Sequence, residues 1–256
     1  MKLFFREMGQ GPDLIILHGL FGSSDNWLSV AKVLANEYRV ILPDARNHGQ
    51  SPFSSEHNYT VMSEDVMELI TFLNLQHPFI IGHSMGGKTL MKFLSLFPGI
   101  VAKAVIADIS PRYYSKHHDP ILNGLTSIPI QTLESRQVAD QLLSAHIQDV
   151  GERQFLLKNL YRDENGQFRW RINLEVLAKE IENIGEGLTE TIPIETPTLF
   201  LHGGASNYLT EKDLPLIASI FKNYRIQTIE GVGHWLHAEK PQEFIQDVIT
   251  FFKSNP

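Results

Sequence analysis

Phe79-Ile80-Ile81-Gly82-His83-Ser84-Met85-Gly86-Gly87 is the stretch on which the fold turns. It begins as a short apolar run and bends at a serine set between glycines. It then passes into a helical pattern that runs from Met85 towards Phe97, where Pro98 stops it. Gly82-His83-Ser84-Met85-Gly86 fits G-x-S-x-G, and a strand before with a helix after is the context a nucleophile elbow requires. A sharp strand-to-helix turn forces the serine into a strained backbone conformation, and neighbours without side chains relieve the crowding. The turn also puts Ser84 at a helix N-terminus, where the backbone dipole favours developing negative charge. The plain alternative is a glycine-rich turn with an incidental serine, and the flanking elements favour the elbow.

On either side of this stretch, short apolar runs alternate with helical patterns. Leu14–Leu17, Val40–Leu42, Ala104–Ala107, Thr198–Leu201 and Ile226–Ile229 read as further strands, with an edge strand at Lys2–Phe5. The central runs lack period-2 alternation, as expected for parallel strands covered on both faces. Helices are predicted over Trp27–Tyr38, Asp65–Leu73 and from Pro241 onward, where Phe244, Ile245, Val248, Ile249 and Phe252 form an apolar stripe. This order specifies an α/β fold with a mostly parallel sheet. The alternation lapses between about Pro111 and Pro197, where no convincing strand run appears and Val138–Ile147, Phe155–Leu160 and Val176–Ile181 look helical. Residues 1–110 and 190–256 are therefore expected to form the core, and 111–189 a helical cap.

Composition narrows the function. The chain has 256 residues, 43% of them hydrophobic, which suffices for a sizeable core. Its net charge of −7 makes nucleic acid and anionic lipid poor partners. The absence of cysteine excludes disulfides, thiolate metal sites and a thiol nucleophile. The N-terminal apolar run is far too short for a secretory signal, and no stretch reaches bilayer-spanning length, so a cytoplasmic location is expected. No HExxH or similar zinc spacing occurs among the eleven histidines. The chemistry proposed for Ser84 needs neither a metal nor an organic cofactor.

A serine nucleophile requires a base, an acid and oxyanion donors. His234, in the glycine-flanked loop Gly231-Val232-Gly233-His234-Trp235 between the last strand and the last helix, is preferred as base over His237. The acid is expected between serine and histidine in the chain. The loop after Thr198–Leu201 reads His202-Gly203-Gly204-Ala205-Ser206-Asn207 and carries no carboxylate, while Glu211 and Asp213 look like first-turn residues of the next helix. Asp108 closes the apolar Ala104–Ala107 strand, where it is desolvated unless paired, and it is preferred as acid. The backbone N–H of Met85 is one oxyanion donor. His18-Gly19-Leu20-Phe21-Gly22 supplies the other, with Leu20 ahead of Phe21 and His18 as a loop-holder. Phe21, Trp235 and Tyr113 are expected to line a substrate pocket, with Tyr114 a further wall, and a core position is the equal alternative for Trp235, Tyr113 and Tyr114. Lys88, Arg112 and Lys116 are candidate cations near the site, and no role is assigned to His117 and His118. In Asp44–Ser51 an Asp44–Arg46 ion pair is expected to hold the loop.

Taken together, the chain resembles an α/β-hydrolase over nearly its whole length. More narrowly, it is similar to the YbfF-type bacterial acyl esterases. That similarity rests on residues 18–23, Arg46-Asn47-His48-Gly49, His83–Lys88, Ala107-Asp108-Ile109-Ser110-Pro111 and residues 233–241. The resemblance implies an α/β-hydrolase fold with a helical cap inserted after the family's sixth strand, an acid at that strand's end, and hydrolysis of small acyl esters, with acyl-CoA thioesters as a variant. A small-molecule substrate is the implied partner, and the oligomeric state is left open. The chain departs from the wider superfamily in having Ser206 at the usual acid position. Carbon–carbon bond hydrolysis on the same residues, or a ligand-binding protein that retains the pocket, are the competing readings.

Overall fold

The computed structural model describes residues 1–116, 118–188 and 193–254. Among these residues seven strands form one sheet, in the spatial order Phe5–Met8, Arg39–Pro43, Asp13–Leu17, Phe79–His83, Lys103–Ala107, Thr198–Gly203 and Tyr224–Ile229, and two short strands form a separate hairpin. In chain order the elements are β1 (Phe5–Met8), β2 (Asp13–Leu17), α1 (Leu28–Leu34), β3 (Arg39–Pro43), α2 (Tyr59–Phe72), β4 (Phe79–His83), α3 (Met85–Leu96) and β5 (Lys103–Ala107). Next come α4 (Asp119–Ser127), α5 (Arg136–Ser144), α6 (Val150–Leu157), β6 (Leu160–Arg162), β7 (Phe168–Trp170), α7 (Leu174–Lys179) and α8 (Ile181–Ile184). The chain closes with β8 (Thr198–Gly203), α9 (Leu214–Ile220), β9 (Tyr224–Ile229), α10 (Leu236–Glu239) and α11 (Pro241–Lys253). Among the described residues only β1 pairs antiparallel within the sheet, and it begins where the expected edge strand was to end.

Alternate residues of each central strand feed two separate cores, because successive side chains leave opposite faces of a strand. Ile15, Ile80 and Ile106 pack with Val66, Leu69, Leu90 and Phe93 of α2 and α3. Leu14, Ile16, Ile81 and Val105 pack on the other face with Leu34, Phe244 and Val248 of α1 and α11. This double burial explains the unbroken apolar runs in the sequence. Lys103, at the start of β5, donates to the carbonyls of Phe251 and Phe252 at 3.0 and 3.1 Å, closing the end of α11.

Residues 111–188 leave the sheet after β5, which is the fifth strand in this chain's own count. They build a third apolar cluster from Leu122, Leu125, Leu143, Leu156, Phe168 and Leu177, which Phe21, Tyr59, Met62 and Met85 join from the sheet side. The expectation of an all-helical insertion is corrected by the β6–β7 hairpin. Accordingly α6 stops at Leu157 and Leu160 begins a strand. Three-residue strands closed by a turn at Asp163–Gly166 are too short to show an alternation that sequence reading detects. The expected 189/190 boundary and His117 lie outside the described residues. Among those described, no helix is long and apolar enough to cross a membrane.

Candidate active site

β4 and β5 lie side by side in parallel, with His83 opposite Ala107. Ser84 and Asp108 are therefore the next residues of two neighbouring strand ends, and both hold the left-handed backbone, at φ 52° and 49°. Such a conformation in a non-glycine residue is strained and persists only where the surroundings fix it. Here the Ser84 N–H donates to Ala107 O at 3.0 Å and the Asp108 N–H to Leu201 O at 2.9 Å. The elbow permits no side chain at Gly86, where a Cβ would stand 2.3 Å from Leu17 O.

Asp108 is fully buried, and both of its carboxylate oxygens are hydrogen-bonded. Its Oδ1 accepts from the Gly203 N–H at 3.0 Å, and its Oδ2 accepts from Ser206 Oγ at 2.5 Å and from His234 Nδ1 at 2.7 Å. Ser206, in the position where an acid was sought, thus donates to the carboxylate supplied by the neighbouring strand. The His234 ring stacks on Tyr208, with centroids 4.0 Å apart. Its backbone carbonyl accepts from His83 Nε2 at 2.8 Å. Burial, then the neighbouring His234, pushes the His83 imidazole down to about 3, so it stays neutral and keeps that proton. Ser84 and His234 face one cavity of about 560 Å³. Among the described residues no hydrogen bond joins the Ser84 hydroxyl to His234, a loose spacing common in unliganded sites of this kind.

His237, the competing base, is buried and stacked flat on Trp27 at 4.0 Å, and burial holds it well below the ordinary imidazole range. His18 is a loop-holder: Nδ1 donates to Gly19 O at 2.8 Å, Nε2 accepts from the Ala45 N–H at 2.9 Å, and burial lowers its basicity. Leu20 borders the cavity. Phe21 cannot be the loop donor because its N–H is spent on His48 Nε2 at 3.2 Å. Met85 is the first residue of α3, so its N–H has no partner within the helix.

Phe21 and Trp235 line the cavity, and Trp235 meets Phe155 of α6 at 5.9 Å between centroids. Tyr113 does not line it: this residue is 61% exposed, because the chain places the neighbouring Tyr114 inward instead. The Tyr114 hydroxyl accepts from the Ser110 N–H at 2.8 Å and bonds to Tyr208 O. The expected Asp44–Arg46 pair is also corrected. Arg46 forms a bidentate pair with Asp65 of α2 at 2.6 and 2.9 Å, while Asp44 accepts from the N–H groups of Ser24 and Gln50 at 2.7 and 2.8 Å. The candidate cations are likewise engaged elsewhere. Lys88 donates to Arg112 O and Glu186 O at 2.5 and 2.6 Å, Arg112 pairs with Asp213 at 3.0 Å, and Lys116 pairs with Asp119 at 2.8 Å. Burial, then the nearby Arg112, lowers the Lys88 ammonium to about 7. His118 lies on the cavity wall, facing the Phe21 ring at 6.4 Å.

Sequence reading missed Ser206, Tyr208 and Asn159 as groups that hold the site. Ser206 stands at the empty acid position and Tyr208 two residues beyond it, and that gap was their signal. Asn159, whose Nδ2 reaches Phe21 O at 2.8 Å, had none. A half-buried serine facing the same cavity as an imidazole that is oriented by a carboxylate is the constellation used for acyl transfer.

Comparison with known proteins identifies the family. The alpha/beta hydrolase fold family matches residues 12–131. The sn-1-specific diacylglycerol lipase ABHD11 of Mus musculus is 38% identical over 94% of this chain and 80% of its own length. Esterase YbfF of Escherichia coli (strain K12) is 35% identical over 92% of this chain and 91% of its own. Among solved structures, a marine microorganism esterase superposes with a TM-score of 0.96 at 46% identity, covering 98% of this chain and 99% of that one. The chain belongs to the α/β-hydrolase family, as a member of the esterase/lipase type.

Proposed function

We propose that this protein hydrolyses small neutral carboxylic esters through an acyl-enzyme formed on Ser84. The observation that carries the reading is the 2.7 Å bond between His234 Nδ1 and the buried Asp108, set in the cavity that Ser84 enters from a strained elbow. Ser84 Oγ attacks the acyl carbonyl and His234 Nε2 takes its proton, then returns it to the leaving alcohol. Asp108 fixes the tautomer and stabilises the imidazolium. The N–H groups of Leu20 and Met85 hold the oxyanion, each contributing about 3–4 kcal/mol to the transition state. Water then attacks the acyl-enzyme by the same route.

Residues 111–188 act as a cap in this reading. Ile121, Phe155 and Leu156 supply an apolar wall opposite Trp235. Neutral esters are favoured over acyl-CoA because no Lys or Arg lines the cavity among the described residues, while Asp149 and Glu152 do. Burial, then Asp149, raises the Glu152 carboxyl above its ordinary range, and an anionic substrate would raise it further.

The test is hydrolysis of p-nitrophenyl esters across acyl lengths beside acyl-CoA of matching length, with labelling by a fluorophosphonate. Activity and labelling in the wild type, both abolished in Ser84→Ala, are expected, with CoA thioesters the poorer substrates. A folded wild type that is inert to every ester and unlabelled would sink the reading.

A further inference from the structure

The turn that carries Leu20 is held at its far end by a residue of the inserted segment. Gly19–Gly22 closes through the Gly22 N–H to Gly19 O at 3.0 Å, with Phe21 left-handed at φ 59°. Asn159 lies between α6 and β6 and is buried. Its Nδ2 donates to Phe21 O at 2.8 Å and to Leu156 O at 3.1 Å. Its own carbonyl accepts from the Arg171 N–H at 2.7 Å, which fixes its backbone to the β7 side of the hairpin. On the other side the Phe21 N–H is held by His48, whose Nδ1 donates to Arg46 O at 2.9 Å.

These bonds connect in series. In a trans peptide the C=O and N–H point in opposite directions. Phe21 O and Gly22 N–H belong to one peptide, and Gly19 O and Leu20 N–H to another. The sequence of groups is therefore Asn159 Nδ2–H to Phe21 O, Gly22 N–H to Gly19 O, and then Leu20 N–H towards the cavity. Each bond polarises the next, so the last N–H is both aimed and strengthened. Gly19 O takes a second donor, His18 Nδ1, at 2.8 Å, which fixes the plane of the peptide that carries the Leu20 N–H. No larger residue fits at Gly22, where a Cβ would lie 2.9 Å from Gly19 O.

We infer that Asn159 is a positioning residue for the oxyanion donor, so that docking of the inserted segment is coupled to transition-state stabilisation at Ser84. This inference rests on the proposed oxyanion role of Leu20. It makes no use of binding contacts with the substrate, since Asn159 does not line the cavity.

The experiment compares wild type, Asn159→Ala and Asn159→Ser in steady-state ester hydrolysis, fluorophosphonate labelling rate, inhibition by a boronic acid that mimics the tetrahedral adduct, and thermal unfolding. Removing an oxyanion donor outright costs roughly 10²–10³-fold in kcat, and misaiming one should cost about tenfold. The expected result for Asn159→Ala is a kcat and labelling rate down about tenfold, with the boronate Ki raised by a similar factor and KM within about twofold of wild type. Asn159→Ser keeps a hydroxyl donor and the fold, and should fall between the two. A folded variant with lower Tm but unchanged kcat and boronate Ki overturns the inference, as does a loss confined to KM. If Asn159→Ala fails to fold, unchanged kcat and Ki in Asn159→Ser overturn it. A wild type inert to esters and probe would instead refute the function on which it rests, and the two failures are thereby separate.

Discussion

The ends of the sheet strands and the inserted segment 111–188 hold their residues in different ways. At the strand ends the backbone does the work. Ser84 and Asp108 follow directly from paired strands, both are left-handed, and each N–H is taken up by a neighbouring strand. The segment packs on an apolar cluster that Phe21, Tyr59, Met62 and Met85 join from the sheet side, and a few hydrogen bonds tie it down. Tyr59 Oη donates to Ile184 O at 2.7 Å, Asn173 N–H to Asn47 O at 2.9 Å, Lys88 to both of the segment's connections, and Asn159 to the Leu20 turn. Of the six non-glycine residues with a left-handed backbone among the described residues, none lies in the inserted segment, and at Ser84 and Asp108 backbone bonds to neighbouring strands sustain the strain. The inserted segment shapes the cavity and depends on side-chain contacts that a single substitution removes.

The largest test of this contrast is Ser84→Ala. It should lower kcat by about 10⁴–10⁶-fold with the fold intact, since the proposed triad acts as a unit. Asp108→Asn should cost about 10³–10⁴-fold in kcat by reversing the tautomer of His234, with little change in KM. Circular dichroism melts beside both assays separate chemistry from unfolding.

Lys88→Met probes the segment's attachment. It leaves two carbonyls unpaired, each costing about 1–3 kcal/mol, and should lower Tm measurably. In wild type the Lys88 ammonium is lowered to about 7, so from there to its ordinary 10.5 the unfolded chain binds the extra proton. Stability should therefore rise with pH across that window in wild type and not in the methionine variant. Identical pH slopes in urea melts would contradict this.

The strand-end region has its own acid limit. His83 is held near 3, and His18 also lies below its ordinary value, both by burial. Between 6.5 and about 3 the unfolded chain binds more protons, so stability should fall as pH drops through that window. Replacing His83 with Gln keeps a donor towards His234 O and should flatten the slope. The smallest effect expected is from Ser206→Ala, a drop of severalfold in kcat, since Gly203 and His234 still bind Asp108. A loss as large as that of Asp108→Asn would make Ser206 an equal partner in the site.

Residues 79–87 alone were enough to place the elbow, because a period change from strand to helix across G-x-S-x-G is a local signal. Asp108 and His234 were legible too, as a carboxylate stranded at the end of an apolar strand and an imidazole in a glycine loop. Tyr113 was misread because two adjacent tyrosines look alike in sequence and only packing decides which turns inward. Arg46 was misassigned to Asp44 because its partner, Asp65, lies nineteen residues away on α2.

What the chain determined by itself, then, is the doubly covered parallel sheet, the turn at Ser84 and the two residues, Asp108 and His234, proposed to act with it. These follow from local periodicity and from the cost of burying an unpaired charge. Only the tertiary structure decided that Ser206 supports Asp108, that Lys88 ties the inserted segment down, and that Asn159 steadies the turn bearing Leu20. Each of those contacts joins residues from 24 to 138 positions apart. Hydrogen bonds over such separations depend on where two packed layers meet, and no spacing rule within one segment encodes that.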